Sequence, residues 1–150
     1  MSKSLENFIT IKDLEQKGYS ALAFRYLTFQ THYRAEMNFT WEALDASQTA
    51  LQKLYEAAAE LSEFSEFPDI DYVGKFMDAL ENDLNMPKAI AVVWELIRSS
   101  KVEDSVKAAT LQEMDQVLGF EIFENSQRQQ KIPASVLKLV EERDIFKKNR

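Results

Sequence analysis

The stretch from Ser20 to Leu44 constrains the fold of this chain more than any other part of the sequence. Its first half carries apolar residues at intervals of three to four positions, namely Leu22, Tyr26, Phe29 and Tyr33. This spacing is the period of a helix that buries one face. The pattern breaks at residues 35–37, and Thr40 then stands where it can cap a second helix that begins at Trp41. The stretch therefore predicts two helices joined by a short extended crossing.

The composition favours a mainly helical globular protein. Only three Gly and three Pro occur among 150 residues, and 45% of the residues are hydrophobic. A chain of this length can bury about two thirds of its unfolded surface. The lack of Cys excludes disulfides and thiol nucleophiles, and with one His the sequence offers no nitrogen and sulfur ligand set for a metal. Because it has neither an apolar run of about 18 residues nor a signal-peptide core, we expect a soluble, cytoplasmic protein without membrane contact.

Capping residues predict where the first helices begin and end. Thr10 and Asp13 have the spacing of a capping box, so a short helix should start there, and Gly18 should close it. Ser20 is placed to cap the helix that follows. The long helix after the crossing is predicted over residues 41–61, with its apolar residues on one face.

The second half of the chain continues with helical patterns. Asp69 or Asp71 is predicted to cap one helix after a linker. Residues 85–87 (Asn-Met-Pro) should open the next, because Pro is tolerated in a first helical turn. That helix is apolar on almost all sides, which predicts a central position in the core for it and for Trp94.

The C-terminal third is predicted to be less regular. A helix over residues 101–118 should end at Gly119 in a left-handed cap. Residues 120–130 are predicted to be polar and irregular after Phe123, and the QRQQK run at 127–131 to be an exposed linker. Ile132 and Pro133 should then open a last helix with a basic outer face.

These patterns together predict an all-α fold. A small helical unit with at most one short strand pair should lead into an antiparallel bundle of four or five helices. The predicted segments are a loop over residues 1–8, the small unit over 9–40, the bundle over 41–124, and a linker with a basic C-terminal helix over 125–150.

The net charge of −7 is unevenly distributed. Residues 1–40 carry five Lys or Arg against four Asp or Glu, residues 41–124 six against eighteen, and residues 125–150 seven against three. We therefore expect phosphate binding at the two ends of the chain. The acidic middle would face away from a nucleic acid, or would simply be a solvated surface.

One group of acidic residues in the middle of the chain resembles a cation site at first sight: Asp78, Glu81 and Asp83. The group lacks the alternating oxygen ligands and the central Gly of an EF-hand loop. We therefore do not expect it to bind a metal ion.

Three motifs, in order along the chain, resemble one family. Residues 24–27 (FRYL), 31–34 (THYR) and 38–44 (NFTWEAL) are similar to the run that follows the catalytic domain of cysteinyl-tRNA synthetases. Residues 1–4 (MSKS) look like the end of the K-M-S-K-S loop of class I synthetases. Residues 76–89 (FMDALENDLNMPKA) are similar to the family's F-x-x-A-M-x-D-D-F-N-T-P-K-A run. The resemblance covers nearly the whole chain.

The resemblance implies a function for each segment. The whole enzyme would join cysteine to its tRNA using ATP, with zinc in its catalytic domain. Residues 1–8 would be a remnant of the K-M-S-K-S loop, in which Lys3 reaches the ATP phosphates. Residues 9–40 would form a stem-contact unit and residues 41–124 the anticodon-binding bundle. Since the sequence shows no H-I-G-H motif, no zinc ligands and no parallel-sheet pattern, we expect this chain to lack the catalytic domain, to be inactive alone and to position tRNA.

Nine residues are candidates for contact with tRNA, because phosphate contacts supply most of the affinity of such a bundle for RNA. They are Arg25, His32, Arg34, Arg128, Lys131, Lys138, Arg143, Lys147 and Lys148. Two alternatives concern contacts within the chain. Arg25 would pair with Asp13 or Glu15, and His32 would be a hydrogen-bonded structural histidine.

The expected partners are tRNA and the catalytic domain, and not DNA. Two other functions compete with this interpretation. A helical protein-interaction bundle with no nucleic-acid role would fit the acidity and helicity of the chain. A related ligase that joins cysteine to an amino sugar is not expected to need a bundle of this extent, so the length of the helical part argues against it.

Overall fold

The structure, a computed structural model, describes residues 9–61 and 63–130, with side chains as far as Arg128. These residues form seven helices and contain no strand, so the predicted all-α fold is confirmed and the optional strand pair is absent from the described part. The helices are α1 (Ile11–Gln16), α2 (Ala21–Phe29), α3 (Trp41–Ala59), α4 (Ile70–Glu81), α5 (Met86–Arg98), α6 (Asp104–Leu118) and α7 (Ile122–Gln130).

The first three helices begin at the predicted capping residues. Thr10 and Asp13 form a complete capping box: the Thr10 hydroxyl accepts from the Asp13 amide at 3.3 Å, and the Thr10 amide donates to Asp13 Oδ2 at 2.7 Å. Ser20 and Thr40 each accept one amide hydrogen bond of 3.0 Å from the first turn of α2 and α3. Because a helix leaves its first amides without partners, these side chains fix where each helix starts.

The residues predicted to cap α4, α5 and the end of α6 are also in place, although α6 begins at Asp104 and not at residue 101. Asp69 Oδ1 accepts from the amides of Asp71 at 3.0 Å and Tyr72 at 3.1 Å, so Asp69 is the N-cap of α4. Asn85 Oδ1 accepts from the amide of Lys88 at 3.1 Å and caps α5. Gly119 ends α6 with a φ of 60°, in the left-handed conformation predicted for it.

Two connected cores hold the helices together. The larger core lies among α2 to α7 and includes Tyr26, Leu54, Phe76, Leu96, Leu111 and Phe120. The smaller core joins α1, α2 and α3 through Leu14, Ala23, Leu27 and Leu44. Helix α2 supplies buried residues to both cores, so the N-terminal helices are packed onto the bundle by burial of apolar surface.

Phe120 is the residue where α2, α3 and the end of α6 meet. Its ring lies 5.5 Å from that of Tyr26 and 5.7 Å from that of Phe29. Its carbonyl accepts a 2.9 Å hydrogen bond from the Tyr55 hydroxyl, and its amide donates to Asp115 at 2.8 Å. Burial raises the pKa of Asp115, although the amides of residues 120 and 122 that donate to it act in the opposite sense.

The prediction of irregular chain after Phe123, with a linker from residue 127, is wrong for the described residues, because residues 122–130 form α7. Ile122 and Ser126 are buried, and the Phe123 ring packs edge-on against Phe64 at 4.8 Å. The segment is too polar to suggest a helix by itself, and it is held by packing against α3. Tertiary contacts often stabilise helices whose sequences are weak helix formers.

Helix α5 contacts α2, α4 and α6, in line with the central position predicted for it, but one of its faces is exposed. Val93 and Leu96 are buried, whereas Glu95 is exposed and Trp94 is only half-buried. The indole N–H of Trp94 donates to the Tyr26 hydroxyl at 2.9 Å. Trp94 therefore lies at the rim of the larger core, with its polar edge satisfied by a partner.

None of the described helices combines the length and the apolar composition that crossing a membrane requires.

Candidate functional site

The structure describes four of the nine residues predicted to contact tRNA. Arg25 lies on α2, His32 and Arg34 lie in the crossing (residues 30–40) between α2 and α3, and Arg128 is exposed in the last turn of α7. The other five lie outside the described residues, and so does Lys3: they are Lys131, Lys138, Arg143, Lys147 and Lys148.

Arg25 makes a contact within the chain that the sequence did not predict. Its guanidinium Nη1 donates to the carbonyl of Gly119, where α6 ends, so the suggested pairs with Asp13 or Glu15 are wrong. A Cβ added at Gly119 would lie 2.6 Å from Arg25 Nη1, so the glycine makes this approach possible. Arg25 therefore joins α2 to the end of α6.

His32, Tyr33, Arg34 and Asp83 form one polar cluster, which we call the crossing clamp. The Tyr33 hydroxyl donates to Asp83 Oδ1 at 2.7 Å, and Arg34 Nη2 lies 3.0 Å from the same oxygen. Arg34 Nε in turn donates to the Tyr33 hydroxyl at 2.8 Å. The Asp83 carboxylate thus holds two consecutive side chains of the crossing.

His32 completes the clamp from the other side. Its ring stacks on that of Tyr33 with centroids 5.0 Å apart, and its Nδ1 accepts from the Arg34 amide at 3.3 Å. With Nδ1 as the acceptor, the proton of the neutral ring lies on Nε2, which faces Asp83 Oδ2 at 3.9 Å. The alternative of a hydrogen-bonded structural histidine therefore agrees with the geometry.

Asp83 reaches the crossing because of an unusual turn between α4 and α5. Asp83 and Leu84 have φ values of 57° and 51°, in the left-handed region that non-glycine residues seldom adopt. The Leu84 amide donates to the carbonyl of Leu80 at 2.9 Å and the Asn85 amide to that of Ala79 at 2.9 Å, which closes the turn. The turn directs the carboxylate away from α4 and toward the crossing.

The contacts of Asp83 with the crossing were not predicted from the sequence, where Asp83 was grouped with Asp78 and Glu81 as an apparent cation site. The turn itself has a sequence signal, since Asn82 to Asn85 is rich in the residues that favour turns. The partner across 50 positions of sequence has no such signal, because the contact depends on how α2 packs against the bundle.

Two apolar grooves flank the crossing and share Met37. One has a volume of about 450 Å³ and borders the clamp, with Phe29, His32, Tyr33, Leu84 and Met86 in its walls. The other has a volume of about 540 Å³ and is lined by Ile9, Thr10, Ile11, Leu14, Phe24, Met37 and Phe39. The described residues therefore present cations, aromatic rings and apolar surface on the same side of the N-terminal helices.

This arrangement is suited to binding an anionic group. A guanidinium whose side chain is 68% exposed offers several N–H donors in a fork, the geometry that fits a phosphate group. Within the described residues, no three His, Asp or Glu side chains are placed to hold a metal ion. Zinc in particular would need donors that this sequence does not contain, since it has no Cys and a single His.

Comparisons with known proteins agree with this geometry. Residues 1–49 match the family of tRNA synthetases class I (C) catalytic domain, and residues 75–123 match the DALR domain. The first range contains Arg25, His32 and Arg34, and the second contains Asp83 and Phe120. The clamp therefore joins the two matched regions.

Curated relatives give the same family. The chain is 38% identical over 143 residues to cysteine–tRNA ligase 1 of Burkholderia lata, which covers 95% of this chain and 30% of the relative. It is 34% identical over 178 residues to the cysteine–tRNA ligase of Chlamydia trachomatis serovar D, covering 99% and 36%. The ligase of Borreliella burgdorferi is 32% identical over 168 residues, covering 98% and 35%. The chain thus spans about a third of the length of these relatives. Through the two matched regions and these relatives, the chain belongs to the cysteinyl-tRNA synthetase family.

Proposed function

We propose that this chain is the tRNA-binding part of a cysteine–tRNA ligase and that it positions tRNA for a catalytic domain. The supporting observation is Arg34, an exposed guanidinium held in one orientation on the aromatic crossing by Tyr33 and Asp83. The DALR match supports anticodon-arm binding by the bundle, and the names of the relatives support cysteine as the amino acid.

The whole protein would join cysteine to its tRNA at the expense of ATP, in the cytoplasm. Lys3 is the candidate for contact with the ATP phosphates, since an ammonium on a loop can stabilise charge that develops there. Zinc would be held by a catalytic domain whose ligands lie outside this sequence. The same domain is the partner that we propose for the groove lined by Ile9, Leu14 and Phe39, because that groove is apolar and open.

Binding to tRNA must come from local cations, because the mean charge of the chain is negative. The crossing provides the cation Arg34, and His32 is a neighbouring polar candidate. The segment 125–150 provides the largest excess of cations, and its candidates are Arg128, Lys131, Lys138, Arg143, Lys147 and Lys148. Contacts of this kind position an RNA but carry little sequence information.

The test is a fluorescence-anisotropy titration of a labelled cysteine tRNA transcript with the chain at two salt concentrations. The variants are Arg34→Glu and the double change Lys147→Glu with Lys148→Glu. Both should weaken binding, and raising the salt should weaken it further, because each phosphate contact releases condensed counterions. The double variant should weaken binding to all tRNAs similarly.

The matched control reverses charge on the acidic surface, through Asp78→Lys with Glu81→Lys. Both residues are exposed on α4, and neither side chain takes part in the hydrogen bonds or ion pairs of the crossing clamp, so the control should bind at least as tightly as the parent chain. Loss of binding in this control, with unchanged binding in the two basic variants, would show that the wrong face has been assigned. Absence of any salt-dependent tRNA binding would favour a protein-interaction bundle instead.

A further inference from the structure

We propose that Asp83 is a positioning residue, which pre-organises the Arg34 guanidinium for a phosphate group of the bound tRNA. The proposal rests on the proposed function and adds a residue of the acidic bundle to the tRNA-facing surface. It assigns a positive effect on RNA binding to a carboxylate, where the mean charge of the chain would suggest repulsion.

The nitrogens of the Arg34 guanidinium contact two different partners within the chain. Nη2 is occupied by Asp83 at 3.0 Å and Nε by the Tyr33 hydroxyl at 2.8 Å, and the guanidinium lies over the Tyr33 ring at 5.4 Å. Arginine has five N–H donors, and the side chain remains 68% exposed. The clamp therefore fixes the plane of the guanidinium while donors on its outer edge stay open to a ligand.

The clamp is not formed by Arg34 alone. Asp83 also accepts from the Tyr33 hydroxyl at 2.7 Å and faces the His32 ring. If Arg34 turned fully toward a phosphate, Asp83 would keep its bond to Tyr33, and the crossing would stay in place. A carboxylate that merely occupied the arginine in the absence of RNA would not need this second anchor.

The backbone at Asp83 and Leu84 also supports the proposal. Two consecutive non-glycine residues, Asp83 and Leu84, adopt positive φ. A left-handed conformation is sterically unfavourable for a residue with a side chain. Strained backbone of this kind persists where the surroundings hold it, and it is concentrated at functional sites. Here the turn is what brings the carboxylate to the crossing.

Because the clamp restrains Arg34 before RNA binds, this side chain would lose less conformational freedom on binding. A free arginine on an exposed crossing would lose rotamer freedom when it met a phosphate. In this chain that freedom is already restricted by folding, and the crossing and the bundle are held as one surface.

The experiment is a double-mutant cycle on tRNA affinity, using the chain and a labelled cysteine tRNA transcript at low salt. The variants are Asp83→Asn, Arg34→Gln and the two together. Asp83→Asn keeps the shape of the side chain and removes its charge. We expect it to weaken binding roughly two- to fivefold, the range of an exposed ion pair, and to have no further effect once Arg34 is changed.

Asp78→Asn is the matched control, since it removes the same charge from an exposed position one helical turn before the α4–α5 turn. It should leave binding unchanged or tighten it slightly. If Asp83→Asn also tightens binding, the carboxylate repels the RNA and the proposal is wrong. If Asp83→Asn weakens binding equally in the presence and absence of Arg34, the residue only supports the turn, and the proposal is again overturned.

A second cycle separates this proposal from the proposed function. Tyr33→Phe and Asp83→Asn are combined, and thermal unfolding is measured without tRNA. Coupling between the two changes would show that the clamp forms in solution. If the clamp forms but Arg34→Gln leaves tRNA affinity unchanged, the positioning role of Asp83 is refuted, whereas tRNA binding through residues 125–150 is still measured by its own variants.

Discussion

Trp94 and Leu96 lie two positions apart on α5 and differ sharply in their surroundings. Leu96 is fully buried, whereas Trp94 is half-buried, with its indole N–H bonded to Tyr26 and the Arg98 guanidinium 5.6 Å from its ring. We expect Leu96→Ala to lower the free energy of unfolding by about 2–5 kcal/mol, as for other large-to-small core changes.

A second substitution, Trp94→Phe, tests the contribution of the indole hydrogen bond. It keeps most of the apolar contact and removes the hydrogen bond to Tyr26, so we expect a loss of about 1 kcal/mol. Urea denaturation followed by circular dichroism measures both variants under one condition. Equal losses would mean that Trp94 is as deeply buried as the sequence alone suggested.

At the scale of single residues, the sequence predicts the contacts of some side chains better than those of others. Thr10, Ser20 and Thr40 each act on the amide three residues further along the chain, so their function follows from local spacing. Arg25 and Asp83 act on partners 94 and 50 positions away. The residues next to Arg25 and Asp83 do not indicate such distant partners, because these contacts form only when α2 packs against α3 and the bundle.

At the scale of helices, the conformation at the end of α6 favours glycine at position 119. Its φ is 60°, and a Cβ there would meet Arg25 Nη1 at 2.6 Å. Gly119→Ala should therefore destabilise the chain by about 1–2 kcal/mol from the left-handed conformation alone, and it should also displace the Arg25 side chain.

Gly74 supplies the control, because it lies within α4 and an added Cβ would meet nothing within 4 Å. Gly74→Ala should stabilise the chain by about 0.5–1 kcal/mol, as alanine does in an exposed helix interior. Thermal unfolding of both variants gives the comparison. A destabilised Gly74 variant, or a neutral Gly119 variant, would contradict this account of the two helices.

Most helix boundaries could be predicted from the sequence, and α7 shows why one could not. Capping residues and Gly119 mark helix ends by their own chemistry, so α1 to α6 begin or end near the expected positions. Residues 122–130 carry no strong helical pattern, and their helix depends on the contacts of Ile122 and Phe123. Helices that are stabilised mainly by tertiary packing are hidden from a local analysis.

At the scale of the whole molecule, the shared helix α2 predicts that the two cores unfold together. Trp41 packs against the smaller core and Trp94 against the larger one. Two variants with a single tryptophan, Trp41→Phe and Trp94→Phe, therefore report on one core each. Their fluorescence melts should coincide within each variant with the loss of helical circular dichroism, as two-state unfolding requires. A Trp41 signal that is lost before the helices melt would instead indicate that the N-terminal helices detach first.

The division into segments 9–40 and 41–124 stays a prediction, and the all-helical class is confirmed for the described residues. The all-helical class could be predicted from the sequence, because few Gly and Pro together with a strong helical periodicity favour helices over strands. The candidate site was predicted only in part. The sequence identified Arg34 and His32 as candidates, but not Asp83, the acidic residue that both of them face.

The bond between Arg25 and the carbonyl of Gly119 also has a consequence for how the chain is made. During synthesis α2 leaves the ribosome long before Gly119 and Phe120, the residues that tie it down and cover Tyr26 and Phe29. Contacts between such distant residues form late, because a long loop must close before they can be made. The part of α2 that carries Tyr26 and Phe29 therefore remains incompletely covered until the end of α6 has emerged, although α3 packs against α2 earlier. A nascent chain that stalls before residue 119 exposes these aromatic side chains to chaperones and to other chains.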